Sequence, residues 1–160
     1  MKKLKIGNVE LRNPYILAPM AGVTDLPFRL LCREQGAGLV CMEMISAKAI
    51  TYKNKATHAM TEISPEESVV SLQLFGSEPD VMHEAVKIIE EVPYHILDIN
   101  MGCPVPKVVN NGEGSALMKN PLLAGKLVEA AVSATKRPVT VKIRAGFDEE
   151  QRNAAEVARI

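Results

Sequence analysis

The sequence predicts an α/β fold of parallel βα units, on three observations. Short apolar strands begin near residues 15, 39, 69, 95 and 139, with helical patterns between them. No Gly-x-Gly-x-x-Gly follows the first strand, which removes a dinucleotide-binding start. The last helical stretch runs to Ile160 with no Gly or Pro stop and no strand after it. A TIM (β/α)8 barrel fits the alternation, but such a barrel needs about 250 residues and eight strands. Residues 1–160 hold five strands and are therefore expected to be the N-terminal five βα units of a TIM barrel, with the remainder absent. Such a portion exposes two sheet edges and half a barrel interior. The alternative is a complete five-stranded sheet of the flavodoxin type.

The elements follow in order. Tyr15-Ile16-Leu17-Ala18-Pro19 is the first strand, ending in a turn over Met20 to Val23. Thr24 and Asp25 offer capping oxygens to a helix reaching about Gln35, with Phe28, Leu31 and Cys32 on one face. Leu39-Val40-Cys41-Met42-Glu43-Met44 is the second strand, and residues 46–65 show no strong period. Residues 68–75 form the third strand. Ser77-Glu78-Pro79-Asp80 opens a helix like a capping box, with Val81, Ala85, Val86 and Ile89 inward. His95-Ile96-Leu97-Asp98-Ile99-Asn100 is the fourth strand, followed by a long loop to Lys119. Asn120 and Pro121 suit the first positions of a helix carrying Leu123, Leu127, Ala130, Ala131 and Ala134. Pro138 ends it, Val139-Thr140-Val141-Lys142-Ile143 is the fifth strand, and a final helix is expected from Asp148 to Ile160.

Composition narrows the function classes. Lys and Arg number 19, as do Asp and Glu, so the formal net charge is zero. That argues against a surface wholly devoted to gripping nucleic acid by counterion release, though not against a local basic patch. Apolar runs fall far short of the ~20 residues of a membrane helix. The basic start, Met1-Lys2-Lys3-Leu4-Lys5, has no apolar segment or cleavage site behind it, so no signal peptide is read. Three cysteines without a CxxC pair suggest neither a disulfide framework nor a zinc site. The cytoplasm is the expected compartment.

In a barrel of this kind the chemistry gathers at the carboxyl ends of the strands. Those ends carry Pro19-Met20-Ala21-Gly22, Glu43, Gln73, Asn100 with Cys103 beyond it, then Lys142 and Arg144. Cys103 sits on a Gly-Cys-Pro turn, where Gly permits a tight approach and Pro fixes the exit. With no histidine near in sequence to take its proton, it suits a general acid as well as a nucleophile. Lys142 lies on a strand of a type buried on both faces, so it must reach the mouth or pair with an anion. A cation there stabilises an electron-rich ring or a negative ligand atom. The Gln73 amide both donates and accepts, which suits a heterocycle edge or a satisfied core position, and Asn100 is similar.

Other features read as structural. Cys32, Cys41 and Met118 are packing residues. Met20 differs, because it follows a strand-ending proline where its backbone can lie against a flat ring. His58, His83 and His95 lack ligand spacing, and His83 is a helix-face residue. Lys48, Lys53 and Lys55 around Tyr52 form a solvated loop or an RNA contact. Residues 110–115, Asn-Asn-Gly-Glu-Gly-Ser, lack the ending of a phosphate-binding loop and are read as shaping the lid around Cys103.

Five segments carry a family resemblance. They are Ala18-Pro19-Met20-Ala21-Gly22-Val23-Thr24-Asp25, Leu72-Gln73-Leu74-Phe75-Gly76, Asp98-Ile99-Asn100-Met101-Gly102-Cys103-Pro104, Gly112-Glu113-Gly114-Ser115-Ala116-Leu117-Met118 and Val141-Lys142-Ile143-Arg144. In this order they resemble the tRNA-dihydrouridine synthases, and are most similar to the bacterial B-type branch. The resemblance implies an FMN enzyme that reduces uridine in tRNA to 5,6-dihydrouridine with NADPH or NADH. It implies that Pro19, Met20 and Ala21 lie against the flavin, that Gln73 and Lys142 bind its polar edge, and that Cys103 is the proton donor to the uracil. Asn100 and Arg144 would help hold flavin or base. No metal is implied.

Family members continue into the rest of the barrel, where the flavin phosphate binds, and a helical tRNA-binding domain. If 160 residues were the whole molecule, little or no flavin binding and no activity would be expected, and the neutral charge fits an RNA grip located elsewhere. Two other readings compete. One is a flavin barrel of the dihydroorotate- or dihydropyrimidine-dehydrogenase type, acting on free pyrimidines. The other is an inactive half-barrel that pairs through its open edges.

Overall fold

The computed structural model describes residues 4–160; the basic opening Met1 to Lys3 and the side chains of Ala56 and His58 lie outside the described residues. An antiparallel hairpin of β1 (Leu4–Ile6) and β2 (Val9–Leu11) comes first. The sequence reading missed it, because three-residue strands carry too little alternation to register as a period. A parallel sheet follows, of β3 (Ile16–Leu17), β4 (Leu39–Ser46), β5 (Val70–Phe75), β6 (Ile96–Met101) and β7 (Val139–Ile143). Its strands lie side by side in chain order, β3-β4-β5-β6-β7. Chain order is what a barrel wall requires, and it differs from the reversed order of a flavodoxin-like sheet. The sheet is a curled, five-stranded half-barrel.

The two-residue period of each strand builds two cores. On the outer face Val40, Met42, Leu72, Leu74, Leu97 and Ile99 are buried against the helices. On the inner face Leu39, Cys41 and Ile96 meet Leu11 of the hairpin. The hairpin thus plugs the amino-terminal end of the half-barrel and leaves the carboxyl ends of the strands open.

Helices α4 (Pro79–Ile89) and α6 (Pro121–Ala134) cover the outer face with Met82, Ala85, Val86, Ile89, Ala124, Leu127 and Ala131. Asn120 caps α6, its Oδ1 accepting from Leu123 N at 3.2 Å. At α4 the expected capping box is absent. Glu78 is the cap residue and makes no side-chain cap bond, while Ser77 Oγ donates to Asn111 O instead. A complete box forms elsewhere, between Ser64 and Glu67 around the 3-10 turn Pro65–Glu67. The stretch without a clear period also holds two short helices, α2 (Ala47–Thr51) and α3 (Lys55–Ala59). Beyond β6 come α5 (Pro106–Val109) and a 3-10 segment, Gly114–Lys119. The final helix is shorter than expected: α7 spans Ala154–Val157, and Asp148 Oδ1 closes a turn by accepting from Glu150 N and Gln151 N. His83 lies on α4, its Nδ1 3.1 Å from Ser133 Oγ. Among the described residues no helix is long and apolar enough to cross a membrane.

Helix α1 (Leu26–Glu34) starts as expected, Asp25 Oδ1 accepting from Phe28 N at 3.0 Å. Its inward face is only partly the expected one, since Cys32 packs against the core but Phe28 and Leu31 do not. Phe28 and Leu31 are 38% and 57% exposed, and Arg29 is buried. Arg29 Nε donates to Glu67 Oε1 at 2.6 Å, and the guanidinium also donates to Thr24 O and Glu62 O. Glu67 Oε2 in turn accepts from Ser64 N at 2.8 Å. One ion pair therefore ties the first βα turn to the chain leading into β5. Removing one partner leaves a buried charge with no counter-ion. Glu67→Ala is expected to cost about 3–5 kcal/mol in urea unfolding. Glu129→Ala, on an exposed helix face, should stay within about 0.5 kcal/mol.

Candidate active site

The carboxyl ends of the strands open into a cleft of about 380 Å³. Pro19, Met20 and Ala21 form one wall, and Met44, Gln73, Asn100, Lys142 and Arg144 line the floor and the far side. The loop Gly102 to Val105 brings Cys103 to the rim. The structure therefore gathers at one mouth eight of the positions singled out in the sequence, Pro19, Met20, Ala21, Gln73, Asn100, Cys103, Lys142 and Arg144, while Glu43 lines a separate cleft beside Arg29. The Lys48, Lys53, Lys55 and Tyr52 group is not among the cleft-lining residues, and Lys48 pairs with Glu78 at 3.4 Å.

Each side chain is held by its strand. The first wall is a tight turn in which Thr24 Oγ1 accepts from Met20 N at 3.1 Å and Gly22 N donates to Glu43 Oε1. Gln73 on β5 pairs in register with Asp98 on β6, which pairs with Thr140 on β7. Parallel register sets these side chains in a row across the inner face. Gln73 Nε2 donates to Asp98 Oδ2 at 2.5 Å, and Thr140 Oγ1 donates to Asp98 Oδ1 at 2.6 Å. One step nearer the mouth, Asn100 pairs in register with Lys142. Asn100 Nδ2 donates to Gln73 Oε1 at 3.1 Å.

The Cys103 loop is anchored from three sides. Asn100 Oδ1 accepts from Gly102 N at 3.3 Å and Cys103 N at 3.0 Å. Arg144 Nη1 donates to Gly102 O at 3.3 Å, and Ser115 N donates to Cys103 O at 2.9 Å. The last contact needs a glycine beside it: Gly114 has φ +59°, and a Cβ there would lie 2.7 Å from Cys103 O. The glycine-rich segment thus packs directly on the backbone of Cys103.

Electrostatics separates the groups. Burial raises the Asp98 pKa above the ordinary carboxylate value, opposed by the hydrogen bonds from Thr140 and Gln73 and by the Lys142 charge. Burial likewise pushes the Cys41 thiol up to about 12. Lys142 is exposed to the cleft and forms no ion pair among the described residues. Its charge is free to meet an anionic or electron-rich ligand atom.

Sequence reasoning assigned no role to Asp98, Thr140 or Met44. A signal was present for the first: Asp98 and Asn100 are two residues apart on one strand and so share a face. Nothing local marked Met44, which reaches the cleft because β4 shifts register between Cys41 and Met44.

Residues 16–160 match the family model described as "Dihydrouridine synthase (Dus)". The chain belongs to the dihydrouridine synthase family. A "Probable tRNA-dihydrouridine synthase" of Rickettsia bellii is 48% identical over 158 residues, which are 98% of this chain and 48% of the relative. A "tRNA-dihydrouridine synthase B" of Shewanella oneidensis is 43% identical over 157 residues, 98% of this chain and 49% of the relative. The protein of the same name from Pseudomonas aeruginosa is 41% identical over 160 residues, 100% of this chain and 48% of the relative. The chain thus spans about half the length of the curated relatives it matches.

The thiols of Cys41 on β4 and Cys103 on the cleft loop are expected to differ in reactivity, because the thiolate is the nucleophile. Below about pH 10, iodoacetamide should modify Cys103 at the cleft and spare Cys41, whose thiol is almost wholly protonated there. Peptide mass mapping of native and denatured protein reads the difference, and equal labelling in the native state would contradict it.

Proposed function

We propose that this chain supplies the flavin-facing and proton-donating half of an FMN-dependent enzyme that reduces uridine in tRNA to 5,6-dihydrouridine. NADPH or NADH is the electron source. The observation that carries the reading is the meeting of Cys103, Gln73, Asn100 and Lys142 with the Pro19-Met20-Ala21 wall in one cleft.

The residues present fit a flavin. The wall of Pro19, Met20 and Ala21 offers an apolar surface to a flat ring. The hydrogen bonds described for Gln73 and Asn100 use one N–H of each side-chain amide, so each retains a second N–H for an acceptor-rich ring edge. Lys142 adds the cation that such an edge attracts. When bound, the cofactor supplies the hydride.

The chain's own residues do the rest. The cleft receives a uracil only after the base leaves its stack, which costs a few kcal/mol and is easiest in a loop of folded RNA. Lys142 and Arg144 bring positive charge to the mouth where an RNA substrate enters. The Cys103 thiol, carried on a loop whose backbone is held by Asn100, Arg144 and Ser115, gives its proton to C5 of the uracil as charge develops there. The barrel's phosphate site after strands seven and eight, and a helical tRNA-gripping domain, belong to the rest of such an enzyme. By themselves residues 1–160 are proposed to bind little or no flavin and to be inactive. The proposed compartment is the cytoplasm.

Cys103→Ala, in the complete protein carrying this chain, should leave flavin reduction by NADPH intact. Uridine reduction should fall by about 10²–10⁴, the usual worth of a positioned general acid. Stopped-flow absorbance of the flavin and mass analysis of the tRNA read the two half-reactions separately, and equal loss of both would contradict the assignment. Dihydrouridine left unchanged in tRNA from cells lacking the gene, with no related enzyme to compensate, would favour a free pyrimidine as substrate.

A further inference from the structure

We infer that Asp98 is a positioning residue that fixes, through Gln73 and Asn100, the polarity of the contact holding the Cys103 loop. The catalytic consequence rests on Cys103 being the proton donor; the structural claim does not. Asp98 is not among the residues lining the cleft around Cys103. It is buried, and its two oxygens each accept one hydrogen bond, from Thr140 and from Gln73.

Donor and acceptor direction runs along the row. A carboxylate only accepts, so Gln73 must turn its Nε2 toward Asp98 and its Oε1 away. Gln73 Oε1 then faces Asn100, which must present Nδ2 to it. Asn100 Oδ1 is thereby left to face Gly102 N and Cys103 N, which are donors. Each amide in the row could sit either way round in isolation. The fixed acceptor at Asp98 and the fixed donors at the loop select one arrangement for all of them. A flip at Gln73 would carry a flip at Asn100 and put Nδ2 against two N–H groups. The Cys103 amide would lose its partner, and the turn would be free to move the thiol from its place.

Two substitutions test this by amide hydrogen exchange, which does not depend on activity. Asp98→Leu removes the fixed acceptor. Exchange at the Gly102 and Cys103 amides should quicken by about tenfold, relative to amides of β5 and β6. The double change Asp98→Asn with Gln73→Glu moves the acceptor-only group one place along the row. Thr140 then donates to the side-chain oxygen of the new amide at position 98. That amide and the Asn100 amide both donate to the new carboxylate at position 73, and Asn100 Oδ1 again faces Cys103 N. This variant should fold and restore slow exchange at Cys103.

An unchanged Cys103 amide in Asp98→Leu would overturn the inference. If that variant unfolds or loosens everywhere, the double variant decides. A protected Cys103 amide there supports the relay, while a fast one, or failure of the double variant to fold, overturns it. Retained uridine reduction in Cys103→Ala would instead defeat the proton-donor reading and leave the relay standing.

Discussion

A carboxylate enclosed by a sheet must find its own hydrogen-bond donors, and Asp98 finds one on each neighbouring strand. The parallel register makes this possible. It sets Gln73, Asp98 and Thr140 side by side, so a single row spans β5, β6 and β7. The cleft is organised upward from that row. Asn100 stands on it, the Cys103 loop hangs from Asn100, and Lys142 stands beside Asn100 on the next strand.

The two faces of the sheet divide the labour. The outer face is apolar and carries the larger core, with α4 and α6 laid across it. That burial makes the strands rigid. The inner face is mixed. Its amino-terminal end is closed by the hairpin with Leu11, Leu39, Cys41 and Ile96, and its carboxyl-terminal end is polar and open. An apolar wall of Pro19, Met20 and Ala21 beside polar groups suits a flat ligand that is apolar on one face and rich in acceptors at its edge. The buried pair of Arg29 and Glu67 performs a related task outside the barrel, tying the turn behind Met20 to the chain before β5.

Much of this was legible in the residues. Strands of five or more residues, such as Val139–Ile143, carry enough apolar pattern to be placed directly. Asn120 and Pro121 marked the start of α6 because the oxygen and the fixed φ act locally. Where local chemistry was ambiguous, reading failed. Ser77 has the makings of a cap but spends its hydroxyl on Asn111, while Ser64 takes the capping box because Glu67 is held in place by Arg29. On α1 Cys32 packs inward as read but Arg29 was missed for the same reason: an arginine looks like a solvent residue until its partner, 38 positions away, is known.

By itself the sequence determined the alternation of strands and helices, the order of the strand ends, and the identity of the groups those ends carry. These follow from periods and turn chemistry that act over a few residues. Only the tertiary structure decided which of those groups meet and which way round each amide lies. Register across β4 to β7 is a long-range matter, set by packing of the outer core. It is register that turned separate residues on separate strands into a single directed row ending at Cys103.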